Sequence, residues 1–244
     1  MTLALFIAAV ASACYLVIAT LRLGLFAYRP LEFASEFLPS MTVLKPIAGL
    51  ELNLYENLRS FCDQEYAAFY EIIFCIHSDR DPARAIVEKV AAEFPSRARV
   101  AIGETPTMAN PKIANLAKPG VEPHGEIVVV ADSDIRVGPN YLRALAASFA
   151  TQRVGAATCL YRGIPTGSLV SRLGALQIED VFIPSVLVAA MLGELRFCLG
   201  ATMAVRRSLL EKIGGLRAVG GVLADDHALG GLVAKHKFEV ELSR

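Results

Sequence analysis

The chain has 244 residues, 54% of them hydrophobic, with 24 Lys+Arg balanced by 24 Asp+Glu. That balance leaves no basic excess of the kind that tracks a phosphate backbone, so no nucleic-acid partner is expected. The mean hydropathy of +0.46 is high for a chain bathed only in water and suits one membrane span plus an α/β domain with buried strands.

Residues 3–21 carry no charge and, past Arg22, the apolar character resumes over 23–28, enough to cross a bilayer core that needs ~20 residues. The spacing predicts a single transmembrane helix with its flank in 1–30. A cleaved signal peptide is the rival, but no Lys or Arg precedes the apolar run. A lipoprotein site at Ala11 to Cys14 is disfavoured by its place in mid-run. Arg22 and Arg29 follow the span with nothing basic before it, which places the remainder in the cytoplasm and makes the chain single-pass. Five scattered cysteines (Cys14, Cys62, Cys75, Cys159 and Cys198) without C-x-x-C spacing argue against a disulfide framework or zinc site, and for reduced thiols.

Residues 31–40, with Glu32, Glu36 and Pro39, read as a linker, and a folded domain is expected over 41–244. Its first strand is 41–45, stopped by Pro46 and Gly49. Leu54, Leu58, Phe61 and Cys62 then mark one face of a helix. The run 71–76 is a strand covered on both faces; Pro82 opens a helix whose stripe is Ala83, Ile86, Val87, Val90, Ala91 and Phe94. Strands follow at 99–102, 127–131 and 154–160, with a helix at 141–149. Alternating strands and helices of this length predict βαβ units and a largely parallel sheet, an α/β fold. Beyond 168 the pattern is less regular. A helix is expected over 168–180. The apolar stretch 181–193 is too short to span and suits a buried or interfacial helix. A strand is expected over 197–205, helices over 207–213 and 226–234, and a last strand over 238–242.

Three acidic clusters carry the candidate chemistry. Asp132-Ser-Asp134 follows the buried strand 127–131, at the strand end where open α/β sheets bind ligands. In extended backbone residues i and i+2 share a side, so both carboxylates can face one divalent cation bridging a diphosphate. The bland alternative is a solvated turn. Asp79-Arg-Asp81-Pro82 lies past the strand 71–76, at the same rim; an Asp before Pro is equally an ordinary helix N-cap. Asp225-Asp226-His227 precedes a helix, where Asp225 can cap, yet adjacent carboxylates beside a His also suit a general base. The chain lacks a G-x-x-x-x-G-K-[ST] loop, a G-x-G-x-x-G after the first strand and a G-x-S-x-G elbow, so NTPase, dehydrogenase and serine-hydrolase chemistry have no support.

Taken in order, Leu44-Lys-Pro-Ile-Ala-Gly49, Leu54 to Leu58, Asp81-Pro-Ala83, Asn110-Pro-Lys-Ile-Ala-Asn-Leu116, Ala131 to Arg136, Cys159 to Gly163, Phe197-Cys-Leu-Gly200 and Leu223-Ala-Asp-Asp-His227 resemble the ceramide glucosyltransferase family and its bacterial relatives of the hopanoid-associated type. The likeness runs from about Thr42 to Ser243. It implies a GT-A fold and an inverting hexosyltransferase that moves a sugar from a UDP-sugar to the hydroxyl of a membrane lipid, ceramide or a hopanoid. By the same matching Asp81, Lys112 with its flanking Asn110 and Asn115, and Asp132 lie near the nucleotide sugar, Asp132 and Asp134 hold Mg²⁺ or Mn²⁺, and Asp226, with Asp225, is the base. The family's downstream Arg-Trp motif is missing, since the sequence has no Trp, which implies a domain truncated at its C-terminus. Two competing functions share these residues: a polysaccharide synthase, and a catalytically incomplete nucleotide-sugar-binding module.

Overall fold

A computed structural model describes residues 2–28 and 37–243. Most of the expected linker (31–36), Arg29 and Arg244 lie outside the described residues. The described chain forms two compact units: residues 2–28 with 160–195, and residues 37–159 with 196–243.

The larger unit is built on a seven-stranded sheet: β1 (Met41–Ile47), β2 (Tyr70–Ile76), β3 (Ala98–Ile102), β4 (Ile127–Ala131), β5 (Val154–Cys159), β6 (Thr202–Arg206) and β7 (Glu239–Ser243). Their spatial order is β3-β2-β1-β4-β6-β5-β7. β1 to β4 run parallel, β6 is antiparallel to both β4 and β5, and β7 is parallel to β5. The sheet is therefore mixed and mostly parallel. β2 and β4 are buried along their whole length, as their unbroken apolar runs require in a sheet covered on both faces. Helices α2 (Leu54–Cys62), α3 (Arg84–Glu93) and α5 (Tyr141–Ser148) bury Leu58, Phe61, Val87, Val90, Leu142 and Leu145 against it. α4 (Pro111–Leu116), α8 (Arg207–Lys212) and α9 (Asp225–Lys235) complete the unit.

Two expectations about strands are corrected. β1 does not stop at Pro46 but pairs with β2 as far as Ile47 opposite Ile76, because a proline near a strand end forfeits little of the ladder. The segment 197–201 is not strand. The Cys198 N–H donates to the Asp226 carbonyl (3.0 Å) and the Leu199 N–H to Thr158 Oγ1 (2.7 Å), so the backbone partners are not those of a ladder and β6 starts only at Thr202.

The smaller unit holds two long apolar helices, α1 (Thr2–Tyr28) and Leu169–Leu192, each long and apolar enough by length and composition to cross a membrane. The second joins α6 (Leu169–Gln177) to α7 (Ile183–Leu192) through a π-helical turn, Ile178–Phe182. The acidic pair Glu179 and Asp180 therefore does not end the helix, and 181–193 is no separate short element. Glu179 pairs with Arg162 at 3.3 Å. Pro184 has no N–H to donate four residues back, and the widened turn accommodates its ring. The helices meet where Tyr15 Oη and Ser185 Oγ share a hydrogen bond of 2.9 Å.

Candidate functional site

Because β1, β2 and β4 are parallel, their C-terminal ends share one edge of the sheet, and β6, running the other way, delivers the loop before Thr202 to it. A cleft of about 570 Å³ opens there, lined among others by Glu51, His77, Lys112, Asp132, Ser133 and Asp134. Asp132 is the first residue past β4. The chain turns directly after it, with the Ile135 N–H returning to the Asp132 carbonyl at 3.3 Å. Extended backbone thus does not carry Asp132 and Asp134 to one side, as the sequence suggested; the turn still leaves both on the cleft wall.

Lys112, in the first turn of α4, is the hub. Its Nζ lies 2.7 Å from Asp132 Oδ1 and 3.6 Å from Asp225 Oδ2, and it donates to the Gly200 carbonyl at 3.1 Å. Asn110 caps α4 through Oδ1, which accepts from the Ile113 N–H at 3.2 Å, while its Nδ2 donates to Asp225 Oδ1 at 3.1 Å. Asp225 is buried, and its Oδ2 has no hydrogen-bond partner. Asp226 is more open. Its Oδ1 accepts from the His227 N–H at 2.7 Å, and its Oδ2 faces Gly200, 3.4 Å from where a Cβ on that residue would be.

Asp81 has a different setting. Both its oxygens accept from the Gly49 N–H at 3.1 Å, and Oδ1 also accepts from the Ala83 N–H at 2.8 Å. It closes the turn that leads into α3 and clamps the turn after β1, beside Ala48 of the cleft wall. Gly49 needs φ +76 there, which glycine adopts at least cost. Asp79 is exposed and pairs with Arg84.

Sequence reasoning missed Lys45 and Glu51. Lys45 is fully buried in β1, its Nζ donating to the Asp132 carbonyl and lying 3.8 Å from the centre of the Phe61 ring. Burial pushes its ammonium down to about 7, against the pull of Asp132, Asp134 and Glu51. The signal was available: a charged residue inside an apolar strand needs a partner. Burial also raises the Glu51 carboxyl, although the Ser133 hydroxyl donates to it at 2.9 Å. Nothing in its loop sequence marks it. Asn115 Nδ2 ties the ends of β1 and β2 through the Ile47 (3.3 Å) and Cys75 (2.8 Å) carbonyls.

Among the described residues no three His, Cys, Asp or Glu side chains cluster as a complete metal cage. An all-oxygen pair such as Asp132 and Asp134 nevertheless suits Mg²⁺ or Mn²⁺, hard cations commonly held by one or two carboxylates together with substrate phosphates and water.

Carboxylates beyond the strand ends of an α/β sheet stand where such sheets bind ligands. The model of glycosyl transferase family 21 matches residues 4–244. The chain belongs to glycosyl transferase family 21. Ceramide glucosyltransferase 1 of Caenorhabditis elegans is 29% identical to it over 196 residues, 78% of this chain and 41% of that protein. The ceramide glucosyltransferase of Gibberella zeae is 32% identical over 134 residues, 51% of this chain and 25% of that one. This family 21 chain thus spans less than half the length of these curated relatives. Among solved structures, the mannosyltransferase PcManGT of Pyrobaculum calidifontis, in complex with GDP-Man and Mn²⁺, superposes with a TM-score of 0.63 at 21% identity, covering 97% of this chain and 65% of that one. The glucosyl-3-phosphoglycerate synthase of Mycobacterium tuberculosis, in complex with Mn²⁺, UDP and phosphoglyceric acid, gives 0.56 at 18% identity, covering 88% and 73%. These likenesses carry the fold, and it is the GT-A architecture.

Proposed function

We propose that this family 21 glycosyltransferase moves a hexose from a UDP-sugar to the hydroxyl of a membrane lipid, with inversion at the sugar carbon. The observation that carries this reading is Lys112, whose ammonium joins Asp132 at the donor end to Asp225 beside Asp226 at the acceptor end. Asp132 and Asp134 would hold Mg²⁺ or Mn²⁺, which when bound offsets the charge that grows on the departing diphosphate. Asp81 keeps the Gly49 turn in place beside the nucleotide. Asp226 Oδ2 takes the proton of the acceptor hydroxyl as that oxygen bonds to the sugar carbon and the carbon–phosphate-oxygen bond breaks. Asp225, engaged by Asn110 and Lys112, positions its neighbour. The ceramide glucosyltransferase relatives support ceramide as the acceptor class, and a hopanoid is the alternative lipid. α1 supplies the membrane anchor, and Arg22 toward its C-terminal end with Arg29 just past it favours a cytoplasmic catalytic unit over 41–244.

Calorimetry tests the assignment directly. UDP binding should require Mg²⁺ or Mn²⁺ and weaken in Asp132→Asn, whereas Asp226→Asn should keep UDP binding and lose sugar transfer. Equal, metal-independent UDP affinity in wild type and Asp132→Asn would refute it.

A further inference from the structure

The geometry points to Lys112 as an internal stand-in for the divalent cation: its ammonium holds the metal ligand Asp132 while no nucleotide is bound, and gives it up when metal and diphosphate arrive together. This inference rests on the reading of Asp132 as a metal ligand. It adds that metal and nucleotide bind as a coupled pair because the site carries its own competitor.

Three contacts define the resting position. The Nζ touches Asp132 Oδ1 at 2.7 Å, faces the buried Asp225 Oδ2 at 3.6 Å and donates to the Gly200 carbonyl at 3.1 Å. The surroundings are all oxygen and carry two carboxylates, a donor set that suits a hard cation as well as an ammonium. Asp225 Oδ2 has no hydrogen bond, so its charge is balanced by the Lys112 ammonium across 3.6 Å. Lys112 side-chain exposure is 22%, and the residue also lines the cleft, so the long side chain has open space to turn into.

One carboxylate oxygen cannot serve both cations at their ordinary distances. A Mg²⁺ or Mn²⁺ on Asp132 Oδ1 at about 2.1 Å would stand within roughly 5 Å of an ammonium left where it is. Repulsion between a single and a double charge at that separation weakens binding more than roughly tenfold even at the dielectric of bulk water. A diphosphate removes the conflict: it supplies anionic oxygens that the ammonium can follow while the metal takes Asp132. The expected behaviour is weak binding of bare metal, tight binding of metal with nucleotide, and positive coupling that depends on the charge at position 112.

The test measures binding of Mn²⁺ alone to the full chain in detergent, by the electron paramagnetic resonance of free Mn²⁺, and repeats it with saturating UDP. Lys112→Met should bind bare Mn²⁺ at least roughly tenfold tighter than wild type. In it, UDP should sharpen the metal affinity much less than it does in wild type. Lys112→Arg, which keeps the charge, should stay as weak as wild type toward bare Mn²⁺. Lys112→Gln is a second neutral variant should the methionine chain not fold. Neutral variants that bind bare Mn²⁺ no tighter than wild type overturn the inference. Asp132→Asn in the presence of UDP separates the two levels. If it keeps wild-type metal affinity, Asp132 is not the ligand and the underlying site reading fails; if it loses that affinity while the neutral Lys112 variants gain nothing, only the stand-in role fails.

Discussion

Lys45 makes a quantitative prediction. Its ammonium is fully enclosed in β1, and burial lowers its pKa from 10.5 to about 7. The unfolded chain therefore holds a proton on this lysine over a range in which the folded chain does not. Where the unfolded state binds more protons, stability rises with pH, so wild type should gain stability from about pH 7 toward 10.5 on this account. Integrating between pH 7 and 9 gives about 2 kcal/mol, from 1.36 kcal/mol for each full unit. Lys45→Met, close in volume and uncharged, removes the term. Urea unfolding in detergent with chelator, followed by tyrosine emission, is a suitable assay: the chain has no Trp, and Tyr66, Tyr70 and Tyr141 belong to the sheet unit. The quantity to plot is the stability of wild type minus that of Lys45→Met against pH. Burial pushes Cys62, Cys75, Cys159 and Cys198 up to about 12, so all four oppose alkaline stability; Cys75, Cys159 and Cys198 do so equally in both proteins and cancel in the difference, while Cys62, which feels the Lys45 charge weakly, is replaced by Ala in both proteins so that it drops out. A difference that stays flat from pH 7 to 9 would refute the buried-lysine account.

Two further outcomes follow from close contacts. At Gly230 a Cβ would stand 2.3 Å from the Phe197 Cα, a backbone atom with nowhere to go, so Gly230→Ala should cost about 1–3 kcal/mol of stability in the same unfolding assay and reduce transfer by shifting the loop that carries Gly200. Asp81→Ala removes the acceptor for the Gly49 and Ala83 N–H groups; UDP affinity by calorimetry should fall, and stability should drop by about 0.5–1.5 kcal/mol for each hydrogen bond lost.

Much of the sheet was legible because its central strands are short, apolar and bounded by turn residues; β4 falls on 127–131 as the run of Ile and Val requires. The strand end at Asp132 and the helix start at Asp225 were equally open to local reading. What the sequence could not disclose depends on partners far along the chain. Phe197 and Leu199 satisfy a strand pattern, yet the backbone between them bonds to Asp226 and Thr158. Glu179 and Asp180 look like a helix end until Arg162 and the π turn accommodate them. α4 has six residues, too short for a periodic signal, and its hold on the site comes from Asn110 and Lys112 reaching other segments. Lys45 is a charge in an apolar strand, a signal that went unread, and its place beneath the Asp132 carbonyl emerges only when β1 pairs with β4.

The reversed direction of β6 has a consequence for how rigidly the two reacting ends are spaced. Ala131 sits opposite Thr202 in the ladder, and the Asp132 N–H donates to the Ala201 carbonyl at 3.4 Å, one residue from the Gly200 that faces Asp226. With the roles proposed for Asp132 and Asp226, the gap between leaving group and base is measured out in main-chain steps across a single antiparallel junction. A side-chain change can retune either end, but altering their separation would require slipping the register of the sheet itself.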